Sequence, residues 1–144
     1  MKILVDTNVL VRSVERTHPL RRTARNALRH LYEQHHELYV AIQNISEFWN
    51  VCTRPVQFNG LGNSIEATSR LTSRMESFFT ILPESMETFR KWRELIVTYS
   101  VKGTKVHDAR LAATVVAYKL DAILTFNGDD FARFPVTILD PAQF

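Results

Sequence analysis

Lys2-Ile3-Leu4-Val5-Asp6 opens the chain with a short apolar run that ends on an acid. A continuous run of this kind, without polar alternation, reads as a strand buried on both faces, as in a parallel sheet. Leu38-Tyr39-Val40-Ala41 is a second such run. Phe78-Phe79-Thr80-Ile81-Leu82, stopped by Pro83, is a third, Ala122-Ile123-Leu124-Thr125 a fourth and Val136-Thr137-Ile138-Leu139 a fifth. Helical spacing fills the intervals. Leu20, Ala24, Ala27, Leu28 and Leu31 recur at three and four residues, as do Ile45, Phe48, Trp49 and Cys52 before Pro55. A weaker helix is predicted from about Ser64 to Ser77, and another through Met86, Phe89, Trp92, Ile96 and Tyr99 with Ser85 as its N-cap. Thr104 is expected to cap a last helix that buries Ala109, Ala112, Ala113, Val116 and Leu120. Strands alternating with helices predict an α/β sandwich around a mainly parallel five-stranded sheet.

The 144 residues fit one domain, 1–144, with no repeat and no interdomain linker. At 45% hydrophobic and 23% charged residues the composition is that of a soluble globular protein. The single cysteine, Cys52, has no partner within the chain, which points to a reducing cytoplasm. No signal segment or membrane span is expected. The net charge of +3 permits a polyanionic partner without requiring one.

Most of the 15 acidic residues sit on predicted helix surfaces, but four places differ. Asp6 leaves the carboxyl end of the first strand, where open α/β sheets bind ligands. Helix cap and active-site acid are equal readings of that position alone. Glu47 lies among Ile45, Phe48 and Trp49, where a buried carboxylate needs a partner, although the helical wheel also permits a solvated side. Asp108 is a first-turn acid favoured by the helix dipole. Thr125-Phe126-Asn127-Gly128-Asp129-Asp130 leaves the fourth strand as Asp6 leaves the first. Acids gathered in one pocket repel unless a cation neutralises them, and Mg2+ accepts one or two carboxylates plus waters. Such a site can activate a water for attack on a phosphoryl group.

These residues together resemble the PIN-domain ribonucleases, most closely the VapC-type toxins of prokaryotic toxin–antitoxin pairs. Ile3-Leu4-Val5-Asp6-Thr7-Asn8-Val9-Leu10, Ile45-Ser46-Glu47-Phe48, Val106-His107-Asp108-Ala109-Arg110-Leu111-Ala112-Ala113, and Leu124-Thr125-Phe126-Asn127 with Asp130-Phe131 match the family's four motifs in order. Thr53-Arg54-Pro55 and Asn59-Gly60-Leu61-Gly62 are similar to the toxin branch. The resemblance implies a three-layer PIN-like fold and cleavage of RNA with Mg2+ or Mn2+. It implies a cognate antitoxin, a homodimer and no membrane partner. Carried across by position, Asp6, Glu47 and Asp108 match the family's acids, with Asp6 and Asp108 holding the principal metal. Many relatives have an aspartate where Asn127 stands, so Asn127, Asp129 or Asp130 completes the cluster, Asp130 being favoured. Thr7, Asn8 and Asn127 are candidates to orient a phosphate or water. Lys105, Arg110 and Arg133 are candidates for RNA contact, whereas Arg21, Arg22, Arg25 and Arg29 read either as a solvated helix face or as a backbone or partner contact. A non-catalytic RNA- or antitoxin-binding module is the alternative. A haloacid-dehalogenase-like phosphatase would need an acid where Asn8 stands, and no P-loop motif occurs.

Overall fold

The computed structural model describes all 144 residues. Five strands form one sheet: β1 (Lys2–Val5), β2 (Glu37–Ala41), β3 (Thr80–Leu82), β4 (Ala122–Leu124) and β5 (Ile138–Leu139). Their order is β3-β2-β1-β4-β5 and every neighbouring pair is parallel. Six α-helices join them: α1 (Thr7–Val14), α2 (Arg21–Glu33), α3 (Ile42–Thr53), α4 (Ile65–Phe78), α5 (Met86–Thr98) and α6 (Val106–Ala117).

The two-residue period of a strand separates the two cores. Ile3 and Val5 of β1 and Leu38 and Val40 of β2 pack against α1 to α4, with Val9, Leu31, Phe48 and Met75. Leu4 and Ala41 face the other way, against α5 and α6, with Leu95, Leu111 and Ala112. The result is the expected three-layer α/β arrangement, parallel throughout. β1 is central and wholly buried beyond Lys2, which is why its sequence does not alternate.

Several boundaries differ from expectation. Phe78 ends α4 rather than starting a strand, and the Phe79 amide still donates to Met75 O at 2.8 Å, so β3 begins at Thr80. Phe78 packs on the ring of Tyr32 and edge-on against Phe79, so the apolar pair serves this helical corner. Likewise β5 is confined to Ile138 and Leu139, although Thr137 O accepts from the Ile123 amide. Thr104 does not cap α6. Gly103–Lys105 form a 3-10 turn, with Gly103 at φ 58°, and that turn runs directly into Val106. Ser85 does cap α5, its Oγ accepting from the Thr88 amide at 3.0 Å, and Ser64 caps α4 in the same way through Ala67 at 3.1 Å.

Candidate active site

In the order β3-β2-β1-β4-β5 the chain winds outward from β1 in one direction, then crosses to β4 on its other side. Open α/β sheets form their ligand crevice at that reversal, beyond the carboxyl ends of the strands. Asp6 and Thr125 are the first residues past β1 and β4. They remain on the ladder, because the Asp6 amide donates to Leu124 O and the Thr125 amide to Leu139 O, both at 3.0 Å.

Asp6 occupies the N-cap position of α1, and its carbonyl accepts from Val9 and Leu10. Its carboxylate makes no capping bond. Instead, Oδ2 accepts from Thr125 Oγ1 at 2.7 Å. Thr125 Oγ1 also accepts from Asn8 Nδ2 and from the Asn127 amide, each at 3.0 Å. Two donors fill both lone pairs of the hydroxyl, so its one proton must point to Asp6. Asn8 Oδ1 accepts from the Phe126 amide at 3.2 Å, so both ends of the Asn8 side chain tie α1 to the β4 exit.

Glu47 is half-buried on the second turn of α3. Thr7 Oγ1 donates to its Oε2 and Gln43 Nε2 to its Oε1, both at 2.7 Å. Behind it, the fully buried Asn44 accepts from the Ala41 amide at 2.8 Å and donates to Thr7 Oγ1 at 3.2 Å. Gln43 Nε2 also donates to His107 O at 3.0 Å, which pins the start of α6 to α3. Trp92 Nε1 holds the same turn from the other side, donating to Val106 O at 2.8 Å. A helix feeding a parallel strand runs back against it, so α6 starts at the carboxyl edge and delivers Asp108 in its first turn.

Asp6, Glu47, Asp108, Asn127 and Asp130 line one open groove of about 460 Å³. Asp129 is exposed and does not line it. Burial pushes the Asp6 carboxyl up to about 6, opposed by hydrogen bonds from the Thr125 hydroxyl and the Thr7 backbone amide and reinforced by the charges of Glu47 and Asp108. Asp108 is also held above the usual carboxylate range, first by burial and then by the charge of Asp130, with Lys105 opposing. Lys105 Nζ bonds Asp130 at 2.5 Å and stands 3.6 Å from Asp108.

The other basic candidates lie elsewhere. Arg110 follows Asp108 by two residues, about 200° around the helix, and pairs with Glu84 over a pocket between α5 and α6. Arg133 stands 6.0 Å over the ring of Phe134. Gln43, Asn44 and Thr125 were not singled out by sequence reasoning. For Asn44 a signal existed: an amide at the start of an amphipathic helix, next to apolar strand residues, must find partners if buried.

The PIN domain family model matches residues 3–136. The chain belongs to the PIN domain family. No curated protein matches it. Among solved structures, the PIN chain is similar to VapBC2 from Rickettsia felis bound to a promoter DNA fragment, at 15% identity, TM-score 0.74, covering 97% of this chain and 98% of that one. FitAcB from Neisseria gonorrhoeae matches at 20% identity and TM-score 0.72, over 99% of both chains. VapC20 from Mycobacterium tuberculosis, described as a sarcin-ricin loop cleaving toxin, matches at 16% identity and TM-score 0.69, over 91% of this chain and 94% of that one. At these identities the likeness speaks for the fold.

Proposed function

We propose that this PIN protein is a divalent-metal-dependent endoribonuclease, the toxin of a toxin–antitoxin pair restrained by a small cognate antitoxin. One observation supports this most directly: Asp6, Glu47, Asp108 and Asp130 converge on a single groove at the switch point of the sheet. Two of them, Asp6 and Asp108, are held above their ordinary range by burial and mutual repulsion. Carboxylates are rarely gathered and half-desolvated at such cost unless a cation is to share the site. The likeness to VapBC assemblies and to a toxin that cleaves RNA adds weight to the reading.

The donor set suits Mg2+ or Mn2+. All the candidate ligands in the groove are hard oxygens. No three acidic, histidine or cysteine side chains stand together as a ready cage, so an ion here would have to take part of its shell from water. Asp6 and Asp108 would hold the principal ion, with Glu47 and Asp130 completing the acidic set. When bound, such an ion neutralises the acids and acidifies a water for attack on phosphorus.

The chain's own residues do the positioning. Thr125 fixes the Asp6 carboxylate with its proton, which favours the ionised form. Thr7 and Gln43 hold both oxygens of Glu47, so that side chain keeps one rotamer over the groove. Asn8 is committed to the scaffold, and Asn127, exposed at the groove, remains the candidate to bind a phosphate oxygen.

The test uses purified, antitoxin-free protein and structured RNA, with and without Mg2+ or Mn2+, alongside Asp6→Asn. Cleavage is expected only with metal and only in the unsubstituted protein. Metal-independent cleavage, or equal cleavage by the variant, overturns the mechanism. RNA bound but uncut under every metal makes the protein a binding module instead.

A further inference from the structure

Of the basic residues beside the acidic groove, Arg54 is tied to the Asn59 carbonyl and Arg12 is paired with Glu15. Lys105 is paired with Asp108 and Asp130, and Arg110 with Glu84. The arginines around the start of α2 are in the opposite condition. Arg16, Arg21, Arg22, Arg25 and Arg29 line one open cradle of about 480 Å³, with no acidic residue in it. None of the five forms an ion pair. Arg21 Nε is buried without a hydrogen-bond partner. Removing five positive charges from the net +3 leaves −2, so this one surface reverses the sign of the protein.

The sequence of α2 dictates the arrangement. Ala24, Ala27, Leu28 and Leu31 are its buried stripe. Arg22, Arg25 and Arg29 therefore share the opposite, exposed face at three- and four-residue spacing. They extend over about 10 Å of helix axis, roughly three phosphates of a stacked strand. Arg16 joins them from the connection after α1. That helix starts just after Asp6 and is about 12 Å long, and Arg12 on its last turn lines the acidic groove.

We propose that this arginine cradle binds the phosphodiester backbone of single-stranded RNA, holding the strand whose scissile bond enters the acidic groove. This rests on the ribonuclease reading. Guanidinium forks match phosphate oxygens, and backbone binding needs no other contact. The lining favours RNA over an acidic protein segment, because it contains no hydrophobic side chain, and protein partners dock through apolar or aromatic anchors. The cradle holds no Phe, Tyr or Trp and only the imidazole of His18 as a ring, which predicts binding with little base preference.

The test measures binding of a fluorescent 20-nucleotide oligouridine without divalent ions, so that cleavage plays no part, from 50 to 200 mM KCl. A triple variant, Arg22→Gln, Arg25→Gln and Arg29→Gln, changes only exposed residues. Its slope of log affinity against log salt is expected to be shallower by about 2, at roughly 0.7 per lost phosphate contact. The advantage of the unsubstituted protein should then shrink about 16-fold across the four-fold salt range. The matching triple lysine variant should keep the original slope. If the glutamine triple variant does not fold, Arg22→Gln alone should lower the slope by about 0.7. An unchanged slope in a folded variant overturns the cradle, as does capture of polyglutamate but not RNA. RNA binding with the expected slopes but no cleavage under any metal would sink the nuclease and leave the cradle standing. Cleavage with unchanged slopes would do the reverse.

Discussion

Thr125 Oγ1 donates its only proton to Asp6 Oδ2, at 2.7 Å, across the ends of two neighbouring strands. The two residues are 119 positions apart, and the bond exists only because β4 pairs with β1 in parallel register. Thr125→Val keeps the shape and removes the hydroxyl. It also strips Asn8 Nδ2 and the Asn127 amide of their acceptor. Unfolding by denaturant should show a loss of about 1–3 kcal/mol. The acidic limb of the pH–activity profile should move to higher pH, because Asp6 loses the bond that favours its charged form. Thr125→Ser should restore both, and a valine variant with an unmoved pH profile would show that the hydroxyl acts on stability alone.

Asp6 should destabilise the metal-free fold at neutral pH. Its folded-state pKa of about 6 lies above its ordinary value, so between about 3.9 and 6 the folded state binds the proton that the unfolded state has released. Stability from this group therefore rises as pH falls through that window and is lowest above it. Asp6→Asn should raise the melting temperature of the metal-free protein at pH 7.5, the gain being of order 2–3 kcal/mol, while activity disappears. At pH 4 the difference should largely vanish. A variant less stable at both pH values would contradict the placement of Asp6.

Gln43 links two segments that carry acids, bonding Glu47 on α3 and the carbonyl of His107 on α6. Gln43→Leu keeps the volume and cuts both links. Affinity for Mn2+, read by calorimetry, should fall about 10- to 100-fold, as for other groups that orient metal ligands. If affinity is unaltered while the melting temperature drops, Gln43 is structural only.

Lys105 occupies the space between Asp108 and Asp130 as a local counter-ion. A divalent ion must compete with it. Lys105→Met should therefore tighten Mn2+ binding by a factor of about 2 to 5, in keeping with exposed pairs, and more at low ionic strength than at high. Weaker metal binding in this variant would mean that Lys105 helps to build the site.

The strands, their parallel pairing and Asp6 are legible in the sequence from local traces, an unbroken apolar run and an acid just past its end, whereas Glu47 and Asp108 lie within helices and stand out only through the resemblance of the ordered motifs. What held those acids was not legible. Thr125 meets Asp6 across 119 positions, Asn44 meets Thr7 across 37 and Gln43 meets the His107 carbonyl across 64, and no local pattern encodes such pairings; only the Gln43–Glu47 bond, four residues apart on one helix, has a local spacing. The third strand starts two residues later than the apolar run suggests, because Phe78, an exposed residue stacked on Tyr32, and Phe79 at the helix end carry the same apolar letters as a strand. Arg110 and Arg133 adjoin the motifs in sequence, but Arg110 pairs with Glu84 outside the acidic groove and Arg133 stands over the ring of Phe134. The arginines of α2 were readable as a charged face. That this face stays unpaired depends on where every acid ends up.

The crossover to β4 has a consequence in time. On a ribosome, Asp6 and Glu47 emerge early, yet β1 then has a partner on one side only, and neither Asp108 nor Thr125 exists. The acidic groove is closed by the last third of the polypeptide. On the proposed nuclease reading, an unfinished chain therefore carries no complete acidic site until synthesis is nearly done.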